Sequence, residues 1–207
     1  GRGTRNVEKQ NQKMTDFHIN KLAEVGVGLI GGSLALALKE AGAVGHVVGV
    51  GRGLSNLETA LRLGVVDSIN QELAEGVKDA DVIFLATPVQ ALGPVAAEAM
   101  PHLKPGAIIT DGGSVKQAVI DAIEPHLRDD VHFVPGHPIA GTENSGAEAA
   151  FATLYVDRRC ILTPTERTAD DALECIRSMW QIVGSEVVVM AVDKHDRVLA
   201  AISHLPH

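Results

Sequence analysis

Short apolar runs alternate with amphipathic stretches along most of this chain, and the alternation predicts its fold class. The runs KLAEV, HVVGV, DVIFLAT, AIIT, VHFV, CILT and EVVVM have the length and the branched side chains of β-strands. Helical periodicity occupies much of the intervening sequence, at residues 30–40, 54–63, 89–100, 114–127 and 169–183. Strands that alternate with helices of this length form βαβ units, so we expect an α/β fold with a doubly wound, mostly parallel sheet.

Both ends of the chain depart from this pattern. Residues 1–13 are polar and aperiodic, which is typical of a disordered extension or a cloning remnant. Residues 191–207 begin a helix that reaches the last residue without a C-cap or a terminating loop. We therefore expect a dinucleotide-binding domain at residues 14–190, followed by the first turns of a truncated helical domain at residues 191–207.

One residue conflicts with its predicted element. Glu24 falls inside the first strand, which should be among the most buried parts of the sheet. An unpaired charge in such a position is costly, because the apolar interior does not replace the water that solvates a carboxylate. The conflict leaves the strand in place but makes the environment of Glu24 a question for the structure.

Composition and charge limit the kinds of partner. The chain has 207 residues and a formal charge of −8 at pH 7, so neither nucleic acid nor an anionic membrane is expected as the main partner. One Trp, one Tyr and four Phe are too few for base-stacking platforms. No segment is typical of a signal peptide or a membrane span, and Cys160 and Cys175 lack metal-ligand spacing. We expect a cytoplasmic protein with two buried, unreactive thiols.

A glycine-rich segment stands between the first strand and the first helix. The sequence VGVGLIGGS carries the pattern GxGxxG as Gly26, Gly28 and Gly31. In such a turn the first glycine permits the bend, the second lets the backbone approach a pyrophosphate, and the third lets the helix pack on the strand. Leu29 and Ile30 would begin the helix, whose N-terminus attracts phosphate. This placement predicts a Rossmann-like dinucleotide site, although glycines also form ordinary tight turns.

The end of the second strand bears on the choice between NAD and NADP. The carboxylate that commonly binds the ribose 2′-hydroxyl of NAD is absent there, since Gly51 and then Arg52 follow the apolar run. Arg52 could pair with the 2′-phosphate of NADP, or it could be a solvated loop residue while NAD binds through other contacts. We expect NADP or NAD, with NADP slightly favoured. Thr87 and Pro88, at the end of another strand, are expected on the same cofactor cleft.

Polar loops after the later strands predict a substrate site, because ligands of open parallel sheets bind at the carboxyl ends of the strands. In TDGGSVK, Ser114 either caps the following helix or points its hydroxyl at cofactor or substrate. In VPGHPIAGTENSG, Pro138 favours extended backbone at His137, with flexible glycines at 136 and 141. Such a histidine suits a general base or hydrogen-bond acceptor near neutral pH, and a structural histidine that caps a turn is the alternative.

The C-terminal segment SHLPH adds a second group of polar residues. On a helix, Ser203 and His207 share a face, and His204 lies partly on it. A metal site is not expected there, because no third ligand is evident.

Six segments, in the order GVGLIGGSLA, ATPVQ, TDGGSVK, GHPIAGTENSG, LTPTE and HDRVLAAISHLPH, resemble the prephenate/arogenate (cyclohexadienyl) dehydrogenase family of tyrosine biosynthesis. The resemblance covers residues 22–207. It implies a nucleotide-binding α/β domain followed by a helical dimerisation domain, and hence a homodimer of the full-length protein. The implied reaction is the NAD(P)-dependent oxidative decarboxylation of prephenate or arogenate, in which the ring becomes aromatic.

The resemblance also implies roles for individual residues. His137 would polarise the C4 hydroxyl of the substrate by accepting its hydrogen bond, and Ser114 would lie between His137 and the nicotinamide. The residues implied to line or gate the substrate pocket are Thr142, Glu143, Ser145, Ser203, His204 and His207. The family's arginine for the substrate carboxylate would lie beyond the last residue of this sequence.

Two other functions remain compatible with the sequence. A catalytically silent dinucleotide-binding module would bind cofactor without turnover. Another small hydroxyacid dehydrogenase would use the same scaffold on a different substrate. The residues also leave open whether the substrate is prephenate or arogenate, which differ in one side chain, a keto acid in the first and an amino acid in the second.

Overall fold

The computed structural model of the protein describes residues 7–8, 16–141 and 144–203. Its main sheet contains, within these ranges, six strands: β1 Ile19–Val25, β2 Val44–Val50, β3 Ser68–Asn70, β4 Val82–Leu85, β5 Ile108–Asp111 and β6 His132–Val134. Their order is β3-β2-β1-β4-β5-β6, and every neighbouring pair is parallel. The predicted α/β, doubly wound, parallel sheet is therefore confirmed. The chain changes direction across the sheet between β1 and β4, where such folds bind their ligands.

Helices connect these strands and cover both faces of the sheet. Their bounds are α1 Leu29–Glu40, α2 Leu54–Arg62, α3 Leu73–Gly76, α4 Val89–Ala99, α5 Lys116–Ile123, α6 Asp170–Ile182 and α7 Val192–Ser203, with short 3₁₀ helices at Met100–His102, Glu124–His126 and Ala147–Ala149. In the parts of the chain that the structure describes, no helix combines the length and the apolar character needed to cross a membrane.

The two faces of the sheet form two apolar cores. Along β4, Phe84 packs into one core with Trp180 of α6, while Ile83 and Leu85 pack into the other beneath α4 and α5. This assignment follows from the strand geometry, because successive side chains point to opposite faces. The central positions of a run such as DVIFLAT are therefore all apolar, without alternation of apolar and polar residues. This pattern is typical of a parallel sheet covered on both sides.

A second sheet corrects the prediction for the last strands. The runs CILT and EVVVM do form strands, β8 Arg159–Leu162 and β9 Glu186–Val189, but they lie outside the main sheet. They pair with β7 Gly136–Pro138, antiparallel between β7 and β8 and parallel between β8 and β9. Pro138 lacks an N–H group and fits at this edge position. The extended backbone expected at His137 is thus present, as the middle residue of β7.

Four short elements among the described residues were not predicted from the sequence: β3, α3, β7 and the 3₁₀ helix Ala147–Ala149. Each spans only three or four residues, which is too short for a periodic pattern to identify. The predicted helix at residues 114–127 is also shorter than expected, since α5 begins at Lys116 and ends at Ile123. The limits proposed for the two domains, at residues 14, 190 and 207, remain predictions.

Candidate functional site

The glycine-rich turn joins β1 to α1 with the geometry that its sequence predicts. Gly26 has a φ of +89°, and a side chain there would also meet the carbonyl oxygen of Ala86 at 3.1 Å. A Cβ at Gly31 would meet the carbonyl oxygen of Gly26 at 2.8 Å, so only glycine lets α1 approach the turn. At Gly28, by contrast, a Cβ would find nothing within 4 Å. The space next to Gly28 is open to a ligand.

The start of α1 is suited to an anion. Gly28 is its N-cap residue, and no side chain caps the helix. The first turn carries no acidic residue, so nothing competes with an external anion for its N–H groups. A pyrophosphate therefore fits the turn, with Gly28 leaving room for close approach and Leu29 and Ile30 presenting the first N–H groups of the helix.

A cleft of about 570 Å³ continues from the turn along the carboxyl ends of β1, β2 and β4. Five of the residues predicted to bind cofactor line it, namely Gly26, Gly51, Arg52, Thr87 and Pro88. The hydroxyl oxygen of Thr87 is buried and lacks a hydrogen-bond partner among the described residues. An orphaned hydroxyl in a cleft is suited to a ligand. The other four predicted residues, Gly28, Leu29, Ile30 and Gly31, line an adjoining cleft of about 370 Å³.

The end of β2 is open at the place where NAD-type sites carry a carboxylate. Gly51 directly follows the strand, and Arg52 is exposed next to it. The cleft also contains Glu72 and Glu98 on other elements, so the charge around Arg52 is mixed. The residues present accommodate a dinucleotide, and they place a cation near the end of β2.

His137 is half-buried on β7, and one of its ring nitrogens is already engaged. His137 Nδ1 lies 2.9 Å from Nε2 of His195 on α7, and the two rings meet edge to face at 5.1 Å. Burial, together with the nearby His195 and Lys116, lowers the pKa of His137 to about 4, against a smaller opposite effect of Asp196. His137 is therefore neutral at neutral pH, and its Nε2 has no hydrogen-bond partner within the described part of the chain.

A buried ion pair fixes the backbone immediately before His137. Lys116 Nζ lies 2.5 Å from Asp111 Oδ2, and both side chains are fully buried. The same ammonium group donates to the carbonyl of Gly136, and Asp111 Oδ1 accepts the N–H of Gly136 at 3.0 Å. Both polar backbone groups of Gly136 are thus held by the pair. The expectation of a flexible glycine at this flank was wrong, because Gly136 is clamped.

The start of α5 corrects the alternative role proposed for Ser114. Val115 is the N-cap residue of α5, and Ser114 is exposed and makes no cap. The N–H groups of Lys116 and Gln117, which have no partner within α5, instead donate hydrogen bonds to the carboxylate of Asp196 on α7, at 3.1 and 3.0 Å. The cap is supplied from another helix, so the hydroxyl of Ser114 is not needed for that purpose.

These loops meet at one edge of the main sheet. A Cβ at Gly112, after β5, would contact Ile30 of α1 at 3.3 Å, and one at Gly136 would contact the carbonyl of Asp111 at 3.2 Å. The start of α1, the end of β5 and the strand of His137 are therefore neighbours. Ser145 is exposed on the cleft that contains Gly28, and Asn144 lines the same cleft.

Several residues predicted for the substrate pocket lie outside the described residues. These are Thr142, Glu143, His204 and His207; Ser203 is the last residue of α7, and its side chain is not described. The sequence analysis missed His195, Asp196, Lys116 and Asp111. Lys116 and Asp111 stand in the segment TDGGSVK, and an acid followed by a lysine five positions later was a usable signal; the pair HD in DKHDRV was a weaker one.

The strand order, the glycine turn and the open helix N-terminus define a dinucleotide-binding α/β domain of the Rossmann type. Comparison with known proteins agrees with this class and refines it. Residues 34–189 match the family described as Prephenate dehydrogenase, nucleotide-binding domain. The chain belongs to the prephenate dehydrogenase family.

Individual relatives support the same assignment. The cyclohexadienyl dehydrogenase of Zymomonas mobilis is 39% identical over 186 residues, which are 90% of this chain and 63% of that protein. The prephenate dehydrogenase of Bacillus subtilis is 37% identical over 88% of this chain and 49% of its own length. This chain thus spans about half to two thirds of the length of these relatives.

Solved structures show the same fold. The prephenate dehydrogenase of Aquifex aeolicus in complex with hydroxyphenyl propionate and NAD⁺ has a TM-score of 0.85 and 34% identity, over 93% of this chain and 67% of that one. The arogenate dehydrogenase of Synechocystis has a TM-score of 0.82 and 38% identity, over 89% and 64% of the two chains. Family membership and the nucleotide-binding fold together establish NAD(P) as the type of cofactor.

Proposed function

We propose that this chain is the cofactor-binding part of an NAD(P)-dependent dehydrogenase that oxidatively decarboxylates prephenate or arogenate. The observation that carries the proposal is the state of His137. It is neutral, a buried ion pair holds the backbone of Gly136 directly before it, and its Nδ1 contacts His195. His137 lies at the edge of the sheet where the dinucleotide turn opens. A silent binding module has no need for an imidazole fixed in this way.

The proposed role of His137 is to accept the hydrogen bond of the C4 hydroxyl through Nε2. A bound nicotinamide ring supplies the acceptor for the hydride that leaves C4. His137 shares the proton of the hydroxyl group while the C4–H bond breaks. It returns this proton to the same oxygen when the ring becomes a phenol. The ring carboxylate departs as carbon dioxide, and its bonding electron pair completes the aromatic ring. Ser114 would orient the hydroxyl, and Thr142, Glu143, Ser145, Ser203, His204 and His207 would line the pocket.

His137→Asn tests the role of this histidine in the full-length protein. Asparagine keeps a polar side chain of similar reach but does not act as a base, so we expect kcat to fall by about 10² to 10⁴, the usual contribution of a general base. The KM for the cofactor should stay unchanged, because the glycine turn is intact. Reduction of NADP or NAD is followed with prephenate and with arogenate, and wild-type turnover by the variant would contradict the proposed role.

The alternatives predict different results in the same assay. Cofactor binding without reduction on any substrate of a hydroxyacid panel would favour a silent module. Turnover of another hydroxyacid, with prephenate and arogenate inert, would favour a different dehydrogenase on this scaffold. The relative kcat/KM values for prephenate and arogenate decide which of the two is the better substrate.

We also propose that NADP is the preferred cofactor, because Arg52 is exposed at the cofactor cleft and Gly51 offers no carboxylate. Gly51→Asp tests this directly. A Cβ there would meet only Leu57 Cδ2, at 3.7 Å, so the fold should tolerate the change. We expect the ratio of kcat/KM for NADP over NAD to fall at least about tenfold, which corresponds to roughly 1.4 kcal/mol of lost charge pairing and added repulsion. Arg52→Ala should lower the same ratio without a gain for NAD, and an unchanged ratio in both variants would contradict the preference.

For the full-length protein we propose a homodimer in the cytoplasm, as the family resemblance implies. Cys160 and Cys175 are unpaired thiols in the structure. Burial raises the pKa of each of them, which keeps them protonated and poorly reactive. Sedimentation of the full-length protein would test the dimer.

A further inference from the structure

Asp196 is held in one position by three donors. Its Oδ1 accepts the N–H of Lys116 at 3.1 Å and faces His195 Nδ1 at 2.8 Å, while Oδ2 accepts the N–H of Gln117 at 3.0 Å. Both N–H groups belong to the first turn of α5, where the helix dipole favours a negative charge. Partial burial opposes ionisation of Asp196, but its hydrogen bonds outweigh that effect and lower its pKa. Asp196 is thus an anion at neutral pH.

The charge of Asp196 determines where the neighbouring protons lie. An ionised carboxylate only accepts hydrogen bonds, so Nδ1 of His195 must carry a proton. In a neutral His195, Nε2 then carries a lone pair and no proton. It accepts a hydrogen bond from Nδ1 of His137 at 2.9 Å. His137 therefore carries its proton on Nδ1 and has a lone pair on Nε2.

We propose that Asp196 and His195 are positioning residues that fix His137 in the tautomer whose Nε2 accepts a hydrogen bond from the substrate hydroxyl. The inference rests on the proposed function for the identity of that hydroxyl. Neither residue needs to touch substrate or cofactor. Their effect passes through the ring of His137, because a histidine with the opposite tautomer would present an N–H to the hydroxyl and lose its function as an acceptor.

The same geometry makes the tautomer depend on the charge of His195. If His195 gains a second proton, its Nε2 becomes a donor, Nδ1 of His137 must accept, and the proton of His137 moves to Nε2. The ring nitrogens of His195 contact Asp196 on its own helix and His137 on β7.

Asp196→Ala removes the group that holds the proton of His195 on Nδ1. Asparagine would not remove it, because Oδ1 of Asp196 accepts from both Lys116 and His195, and a carboxamide oxygen in that place still would. Without the carboxylate, the proton of His195 is free to move to Nε2, and that of His137 then moves to Nε2 as well. The ring ¹⁵N chemical shifts of His137 and His195 report the tautomers directly, in this chain and in the full-length protein. We expect His137 to be protonated at Nδ1 in the parent and to populate both tautomers in Asp196→Ala.

Asp193→Ala is the matched control, because Asp193 lies on the same helix with 76% of its side chain exposed and outside the network. Its ¹⁵N pattern should equal that of the parent. In full-length Asp196→Ala, kcat should fall about twofold or more, in proportion to the lost Nδ1–H fraction of His137, with the KM for the cofactor unchanged, since only that tautomer accepts from the substrate hydroxyl. An unchanged His137 tautomer in folded Asp196→Ala would overturn the proposal.

A second pair of variants keeps the test valid if the loss of the helix cap prevents Asp196→Ala from folding. The amide oxygen of His195→Gln can accept from Nδ1 of His137, whereas His195→Leu cannot. We expect kcat of the Gln variant to exceed that of the Leu variant by about tenfold or more, and the Nδ1–H tautomer of His137 to persist only in the Gln variant. Equal kcat values and equal tautomers in the two variants would overturn the proposal. Absence of turnover in the unmodified full-length protein would contradict the proposed function instead, while the ¹⁵N measurement still decides the tautomer.

Discussion

Glu24 is a carboxyl group inside an apolar core. It lies on β1 with no exposed surface, and neither carboxyl oxygen has a hydrogen-bond partner among the described residues. Burial raises the pKa of Glu24 well above its ordinary value of 4.5. Its neighbour Gly31 has no side chain, and a Cβ there would come within 2.5 Å of Glu24 Oε2. The glycine of the cofactor turn thus also makes room for the carboxyl group.

Replacing Glu24 should stabilise the protein most at high pH. A raised pKa means that the folded state binds the proton of Glu24 more tightly than the unfolded state does. The stability that this proton binding adds to the fold is complete below pH 4.5 and is lost as the pH rises through the folded-state pKa. Glu24→Met fills similar space without a polar group, so we expect the free energy of unfolding at pH 8 to rise by about 1–3 kcal/mol. Urea unfolding at pH 5 and pH 8 measures the difference.

Glu24→Gln separates titration from polarity in this experiment. Glutamine does not ionise, but it still buries an amide without a partner, so it should remove the pH dependence and give a smaller gain than methionine. Other carboxyl groups also make the free energy of unfolding depend on pH, and they do so equally in every variant. Only the difference in this free energy between variant and parent is therefore interpreted. The groups with lowered pKa values are Asp67, Asp81, Asp130 and Asp196. A constant gain from pH 5 to pH 8 would show that Glu24 is not protonated in the folded state.

Residues differ in how far the sequence alone predicts their role. The glycines of the cofactor turn act through local geometry, so a pattern of six residues was sufficient to place them. His195 and Asp196 act through contacts with residues 58 and 80 positions away, and no local pattern encodes such a distance. The histidine of the loop was found from its flanking residues, whereas the groups that orient it could only be seen in three dimensions.

At the scale of elements, the Lys116–Asp111 pair connects three of them. Asp111 ends β5, Lys116 begins α5, and both hold Gly136 of β7. The small sheet of β7, β8 and β9 could not be predicted as a separate unit, because its strands have the same composition as those of the main sheet. This buried pair holds β7, while Cys160 and Leu162 of β8 pack into the same apolar core as Trp180.

Breaking the pair should therefore loosen the element that carries His137. Lys116→Met leaves the carboxylate of Asp111 buried without its counter-ion, and we expect a loss of about 3–5 kcal/mol in the free energy of unfolding. The double variant Asp111→Asn with Lys116→Met should recover part of that loss, since no unpaired charge remains. Denaturant unfolding of the two variants measures this; equal stabilities would mean that the unpaired charge is not the cause. Arg197→Met is the control, since its ion pair with Asp193 is 76% exposed on both sides and should contribute little.

At the scale of the whole molecule, cofactor binding should stabilise the folded chain. A ligand that binds only the folded state at about 100 times its Kd adds roughly 2.7 kcal/mol, which for a chain of this size corresponds to about 5–10 °C in Tm. The described residues contain both clefts that such a ligand would fill. Thermal unfolding of this chain with and without NADP is the corresponding measurement.

Gly28→Val tests whether that stabilisation arises at the glycine turn. Gly28 has φ −117° and ψ −151°, an extended conformation open to any residue, and a side chain there would meet no protein atom within 4 Å. The variant should therefore keep the Tm of the parent without cofactor but lose the shift with NADP, because the new side chain occupies the space of the pyrophosphate. Gly93→Ala, on the side of α4 that faces Ala122 of α5 and does not line either cleft, should keep the full shift, since its Cβ has room at 3.4 Å. A normal NADP shift in Gly28→Val would place the dinucleotide elsewhere on the molecule.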